Sequence, residues 1–276
     1  HADHITGSRE LAKKTGADIY IHPVAEAQYP NKTMDEGDTF RFGIAQIDVL
    51  HTPGHTPNSV SLALTDHARS NDVFGFLTGD LLFVGDIGRP DLAGKDMLEE
   101  QITNLYNSLY KKLGRFPDWT EIYPAHGEGS LCGKGMSPKP MTTLGYERRN
   151  NKLLAGLEFE QFRKTMISGF QLRPSNFMCM VDKNRQGPEL ISDFPSPKKL
   201  SLEQIEQAMD RDAVIIDIRT QTSFGAAFIE GSINIGLSDN SINWLGILVP
   251  ADKELILVAQ SESDAKQAVW QFQRAG

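Results

Sequence analysis

The chain has 276 residues, 39% hydrophobic and 23% charged, with 36 acidic against 28 basic side chains and a net charge of −8. That length suits one large or two ordinary domains with a sizeable core. The acidic balance, with no Lys/Arg run longer than a pair, argues against a nucleic-acid surface, and no apolar run approaches the roughly 20 residues of a membrane span.

Ile5 to Gly16 carries a weak helical stripe of Ile5, Leu11 and Ala12, stopped by Gly16. Asp18 to Ile21 reads as a short strand ended by His22-Pro23. Phe40 to Phe42 and Ile44 to Leu50 read as two strands of a hairpin turning at Gly43. Val60 to Leu64 alternates as a strand, and Val73 to Leu77 is apolar enough for a buried one. Asp96 to Leu113 is expected to be one helix, with Leu98, Ile102, Leu105, Leu109 and Leu113 on one face. Ile122-Tyr123 is a short strand ending at Pro124, and Leu144 to Leu154 and Phe159 to Ile167 look helical.

From about Ser168 to Lys199 the pattern turns irregular, with Pro174, Pro188, Pro195 and Pro197. We expect domains at 1–168 and 200–276, joined by a linker at 169–199. Beyond it, Leu202 to Met209 reads as a helix, Val214 to Ile218 as a strand, Gln221 to Phe228 as a short helix, Glu254 to Ala259 as a strand and Asp264 to Gln273 as a helix. Such alternation predicts a small parallel α/β unit.

Cys132 and Cys179 are the only cysteines, too few for a disulfide framework, and a cytoplasmic location is expected. The chain opens on His1 rather than Met and is read as a fragment, which leaves an upstream signal open. Of its seven histidines, His4, His55 and His126 stand beside Asp or Gly at the ends of predicted elements, and His1, Asp3 and Asp80 join them. Imidazole with carboxylate suits zinc, iron or manganese. Singly, each is an ordinary loop residue.

Together, the set resembles the metallo-β-lactamase superfamily. His1-Ala2-Asp3-His4 is similar to the last four positions of its H-x-H-x-D-H motif, whose first histidine would lie two residues upstream. His55 in Pro-Gly-His-Thr, Asp80 in Thr-Gly-Asp and His126 in Tyr-Pro-Ala-His-Gly match the later motifs. The resemblance covers about residues 1 to 155. It implies an αββα sandwich, here N-terminally incomplete. Most members hold two zinc ions with the aspartate bridging. The persulfide dioxygenase branch holds one Fe(II) with the first histidine, the equivalent of His55 and the equivalent of Asp80. This branch is marked by H-A-D-H-I-T-G-S, read here from His1 to Ser8, and by G-R-x-D, read here as Gly88-Arg89-Pro90-Asp91.

The resemblance therefore implies that His55 and Asp80 are metal ligands, with His1, Asp3, His4 and His126 behind them or at a second metal. The expected activity is oxidation of the outer sulfur of a low-molecular-weight thiol persulfide by O2, giving sulfite and the thiol. A zinc thioester hydrolase of the glyoxalase II type and a non-catalytic, partner-binding fragment are the alternatives. Asn58 stands where the family usually has Gly, and is read as the next most tolerant residue of a left-handed turn. Arg89 is a candidate for binding the anionic substrate, against a plain ion pair with Asp86 or Asp91. Cys132, with Gly133 and Lys134 after it, is read as an exposed, mobile thiol on the substrate side, against an ordinary loop cysteine. His51 is taken as a support, His22 and His67 as surface residues, and Cys179 as packing.

The final stretch resembles the rhodanese family through Val214 to Arg219, Phe224 and Ile229 to Ile235. This implies a parallel-sheet α/β domain, C-terminally truncated. Ala259 stands where that family carries its nucleophilic cysteine, and Glu262 and Asp264 replace its basic cradle. The unit is read as a degenerate module, with room for an active rhodanese repeat downstream. The oligomeric state is open, a homo-oligomer included.

Overall fold

The structure, a computed structural model, describes residues 4–130, 132–133, 135–168, 176–194, 196–238 and 240–275. Two compact units form: Asp18–Gln171, and His1–Ala17 together with Leu172–Gly276. No helix among the described residues is long and apolar enough to cross a membrane.

The first unit is built on a six-stranded mixed sheet. Two short strands, β1 (Tyr20–Ile21) and β2 (Lys32–Thr33), pair with each other in parallel. The large sheet then runs β3 (Thr39–Phe42), β4 (Ala45–His51), β5 (Val60–Asp66), β6 (Val73–Gly79), β7 (Glu121–Pro124) and β8 (Thr142–Thr143), in that spatial order. The expected hairpin is β3–β4, and Gly43 at its tip takes a φ of 63° that favours glycine. Every pairing is antiparallel except β6 with β7. Strands β4, β6 and β7 therefore run the same way, and their carboxyl ends open on one edge of the sheet.

Residues 61, 63 and 65 of β5 are buried in turn, as period-two alternation requires. One face of the sheet packs on helices. Leu50, Ala63, Phe76 and Ile122 of the strands share a core with Ile102, Leu105, Leu109 and Leu113, and with Phe162 and Met166 of α4 (Phe159–Ile167). The single helix expected over Asp96 to Leu113 is divided. It begins as α2 (Leu98–Tyr106), widens to a π-helical stretch at Asn107–Lys112, and tightens at Leu113–Arg115. The apolar face survives this change: Ile102, Leu105, Leu109 and Leu113 are all essentially buried. The widened turn holds Ser108, whose hydroxyl donates to Pro53 O at 2.7 Å. Helix α3 (Leu144–Asn150) starts from Thr143, whose hydroxyl accepts from Tyr146 N.

The second unit holds a three-stranded parallel sheet, ordered β10 (Ile233–Asn234), β9 (Val214–Asp217), β11 (Leu255–Val258). Its helices are α1 (Ser8–Thr15), α5 (Phe177–Gln186), α6 (Leu202–Asp210), α7 (Gln221–Ala226), α8 (Ser241–Leu248) and α9 (Glu262–Gln273). Ile216, Ile218, Ile235, Leu245, Ala268 and Phe272 form its core. The parallel α/β reading holds. Two helices exceed the expectation. Helix α5 lies in the stretch read as irregular, held by buried Phe177 and Met180, with Cys179 half-buried beside them. Helix α8, missed because Asn243 and Gly246 break its apolar pattern, buries Ser241, Leu245 and Gly246.

Candidate metal centre

The carboxyl ends of β4, β6 and β7 carry the three residues that matter. After β4 the chain turns through Thr52-Pro53-Gly54 to His55. Gly54 has φ 144°, and a Cβ there would stand 2.4 Å from Leu105 Cα. Only glycine lets α2 press on this turn. Thr52 and Ser61 hydroxyls meet at 2.9 Å, and Thr56 with Ser59 at 2.7 Å, which closes the loop. Asn58 is not among the described residues with positive φ, so the left-handed turn expected there does not form. The Thr56–Ser59 bond shapes the loop instead. His51 supports it from below, its Nε2 2.8 Å from Pro57 O. His22, expected at the surface, is buried and stacked on His51 at 4.0 Å, because its Nε2 finds Asp35 at 3.1 Å. His67 is exposed.

After β6, Gly79 bends the chain (φ 55°) and Asp80 follows. Ala125 N donates to Gly79 O, which ties the end of β7 and thus His126 beside Asp80. Asp80 then faces two imidazoles. Its Oδ2 lies 3.4 Å from His55 Nε2 and its Oδ1 3.3 Å from His126 Nε2. His55 and Asp80 are buried, and the His126 side chain is 29% exposed.

His55 Nδ1 lies 3.0 Å from Arg89 O. A carbonyl only accepts, so Nδ1 carries the proton and Nε2 presents its lone pair toward Asp80. Two electron-rich atoms facing each other in a buried site demand a cation between them. Absent a metal, that cation is a proton. Burial works against a charged His55, but Asp80 and Cys132 outweigh it and lift the imidazole to about 9. Burial likewise opposes charge on His126, and the same two partners lift it to about 10.

A metal fits the same space. Two donors bonded at about 2.1 Å to one tetrahedral ion stand about 3.4 Å apart, and the observed separations are 3.4 and 3.3 Å. His126 Nε2 is buried, and its geometry toward Asp80 is ionic rather than hydrogen-bonded. Donor atoms of His55, Asp80 and Cys132 all lie within 4.8 Å of one another. Histidine, carboxylate and thiol together suit a borderline ion such as zinc or iron(II).

The loop between Asp80 and Asp91 threads this centre. A Cβ on Gly88 would fall 2.0 Å from Asp80 O and 3.0 Å from His55 Cβ, so glycine is needed for the chain to pass between the two. Arg89 is buried and its guanidinium is gripped by Asp91, Nε to Oδ1 at 2.6 Å and Nη2 to Oδ2 at 2.7 Å. The pairing with Asp91 is the one formed, and Arg89 meets His55 through its carbonyl.

Cys132, expected on an exposed loop, is fully buried. Its loop is tied inward: Arg89 N donates to Cys132 O at 3.2 Å, Gly135 N to Asp86 Oδ2 at 2.7 Å, and Ser137 N to Val84 O at 2.9 Å. Phe83 and Met136 pack on it. Lys134, His1 and Asp3 lie outside the described residues. His4 belongs to the other compact unit, where its carbonyl accepts from Asn184 Nδ2 at 2.9 Å.

Sequence reading missed two buried carboxylates. Asp86 ties the Cys132 loop to the Asp80 loop. Glu147 accepts from Gly85 N, Thr142 Oγ1 and Asn151 Nδ2. Gly85 was the available signal, because a Cβ there would stand 3.3 Å from Gly135 O. In the second unit, the D-x-R segment is an ion pair, Arg219 Nη2 to Asp217 Oδ2 at 2.6 Å. Ser261 caps α9 directly after Ala259 and Gln260.

The chain matches the family model of the metallo-beta-lactamase superfamily over residues 1–126 and that of the rhodanese-like domain over residues 201–276. A solved metallo-beta-lactamase from Staphylococcus aureus is similar over 100% of this chain and 79% of its own, at 31% identity and a TM-score of 0.85. Persulfide dioxygenase ETHE1, mitochondrial, of Homo sapiens is 32% identical over 167 residues, 60% of this chain and 58% of that protein. Hydroxyacylglutathione hydrolase of Prochlorococcus marinus is 31% identical over 191 residues, 59% of this chain and 71% of that protein. The chain thus spans little more than half the length of the human relative.

Proposed function

Because this chain belongs to the metallo-beta-lactamase superfamily and carries a rhodanese-like domain, we propose that it is a non-haem iron(II) persulfide dioxygenase. The reaction takes a thiol persulfide, O2 and water to sulfite and the free thiol. The outer sulfur is oxidised, dioxygen is reduced, and the sulfur–sulfur bond breaks with its proton returned to the thiol.

One observation carries this reading. The Gly88-Arg89-Pro90-Asp91 segment, whose text marks the dioxygenase branch, is built into the centre: Gly88 clears Asp80 and His55, and Arg89 O orients His55. His55 and Asp80 would hold the ion. Iron(II) held there would supply the oxygenase chemistry of a histidine and carboxylate site. The Arg89 carbonyl keeps the proton of His55 on Nδ1, so that Nε2 stays a donor. His126, which faces Asp80, would orient ligands and water. Arg89, its guanidinium paired with Asp91, and Cys132 are the residues that this reading sets on the substrate side. The rhodanese-like unit carries no sulfur, because Ala259 offers no thiolate.

A second reading is a zinc thioester hydrolase. It is favoured by Asp80 turning one oxygen to each histidine, as a carboxylate bridging two ions would, and by the hydrolase relative. Elemental analysis with oxygen uptake separates the two. One iron per chain and persulfide-dependent oxygen consumption are expected. Two zincs, thioester hydrolysis and no oxygen uptake would establish the hydrolase instead.

A further inference from the structure

Cys132 combines two properties that rarely meet. It is fully buried, yet it lies on a loop rich in glycine. Three tethers bring it there: Arg89 N on its carbonyl, Gly135 N on Asp86, and Ser137 N on Val84. Its own N–H donates to Ser130 Oγ at 3.1 Å. A Cβ at 133 would fall 2.9 Å from Asp86 Oδ2 and 3.1 Å from Met136 Cγ, so glycine lets those side chains close over the loop. The loop is thus constructed to hold this residue in one place.

The place is the metal centre. Sγ, a nitrogen of His55 and an oxygen of Asp80 all lie within 4.8 Å of one another. Bonds of about 2.1 Å to nitrogen and about 2.3 Å to sulfur span about 3.6 Å at a tetrahedral ion and about 4.4 Å across an octahedral one. The observed limit of 4.8 Å lies a few tenths of an ångström beyond the larger span. A thiol placed only for packing would turn to apolar neighbours on every side. Phe83 and Met136 supply one such side; an imidazole and a carboxylate supply the other.

We infer that the Cys132 thiolate is a ligand of the metal ion held by His55 and Asp80, occupying the position that a substrate sulfur takes. This rests on the proposed function for the presence of the ion. The thiol and the persulfide are both soft sulfur donors, so one position serves either. On binding, the thiol proton leaves to solvent and one sulfur–metal bond forms, with no change of oxidation state. When a persulfide anion arrives, that bond breaks, the substrate sulfur takes its place and Cys132 regains a proton. The enzyme is thereby kept closed to water and stray anions until its own class of ligand arrives.

Cobalt(II) titration of the protein, followed by absorption, tests this. Wild type should show visible ligand-field bands and an intense near-ultraviolet sulfur-to-cobalt band. Cys132→Ser should keep the visible bands, lose the near-ultraviolet one and bind cobalt about tenfold or more weakly. Cys179→Ser should keep both features. Stoichiometric cobalt in wild type without the near-ultraviolet band overturns the inference, whether or not the serine variant folds, and leaves the metal reading standing. Retention of the band in Cys132→Ser overturns it as well. A wild-type protein that binds no cobalt removes the metal reading and this inference with it.

Discussion

The Nδ1 of His55 rests 3.0 Å from the carbonyl oxygen of Arg89, and through that contact a segment 34 residues away sets which nitrogen of His55 is a donor. The guanidinium of the same arginine is locked by Asp91, so the carbonyl is stationary. Asp91→Asn should loosen it. Metal affinity should fall about 10- to 100-fold, the usual cost of losing an orienting partner, while the fold persists. Competition with a chromogenic chelator measures this; an unchanged Kd would mean that the clamp does not orient His55.

Gly88→Ala should be worse than its chemistry suggests. The new Cβ would meet Asp80 O at 2.0 Å, backbone that cannot swing aside. Overpacking of this kind costs about 1–3 kcal/mol, and here it also separates Asp80 from His55. Thermal unfolding should show the loss of stability, and elemental analysis a loss of bound metal.

His55→Ala or Asp80→Ala should abolish iron binding, because each removes a donor from a cluster of few. Asp80→Ala should also release both histidines at once. Stoichiometric iron with turnover in either variant would show that the ligands are misassigned.

Both histidines titrate higher folded than unfolded: about 9 for His55 and about 10 for His126, against 6.5. The metal-free folded chain keeps protons that the unfolded chain has already released. Its extra stability is therefore complete below about pH 6.5 and is lost as pH rises through about 9 to about 10. Urea midpoints of the metal-free protein should fall over that window, and Asp80→Asn should flatten the profile. Metal affinity should move the opposite way and increase with pH, since the ion competes with those protons.

Glu147→Gln should destabilise the first unit by about 1–3 kcal/mol, because an amide cannot accept all three of the N–H and O–H groups that the carboxylate now satisfies. Urea unfolding gives the number.

Much of the fold was legible because it rests on short-range rules. The β3–β4 hairpin follows from alternation around Gly43, and the α/β character of the second unit from strand–helix alternation. The break of α2 at Tyr106 was not legible, since the apolar spacing is kept on both sides of it. Helix α5 was hidden by the prolines that surround it. The turns that bring His55, Asp80 and His126 together were legible because each carries distinctive text. The burial of Cys132 was not. It depends on Asp86, 46 residues earlier in the chain, and glycines alone suggest freedom where they in fact permit close approach. His22 was misplaced for the same reason: its partners, His51 and Asp35, are set by tertiary structure.

The residues of the centre follow three strands that run the same way, at positions 55, 80 and 126. No short stretch of the unfolded chain can gather them. A metal ion therefore binds the folded unit far more tightly than the unfolded one, and stabilises it by mass action in proportion to the logarithm of free metal over Kd. Occupancy of the ion becomes a readout of whether the whole sheet has closed. Metal supply would then bear on how long the folded unit lasts.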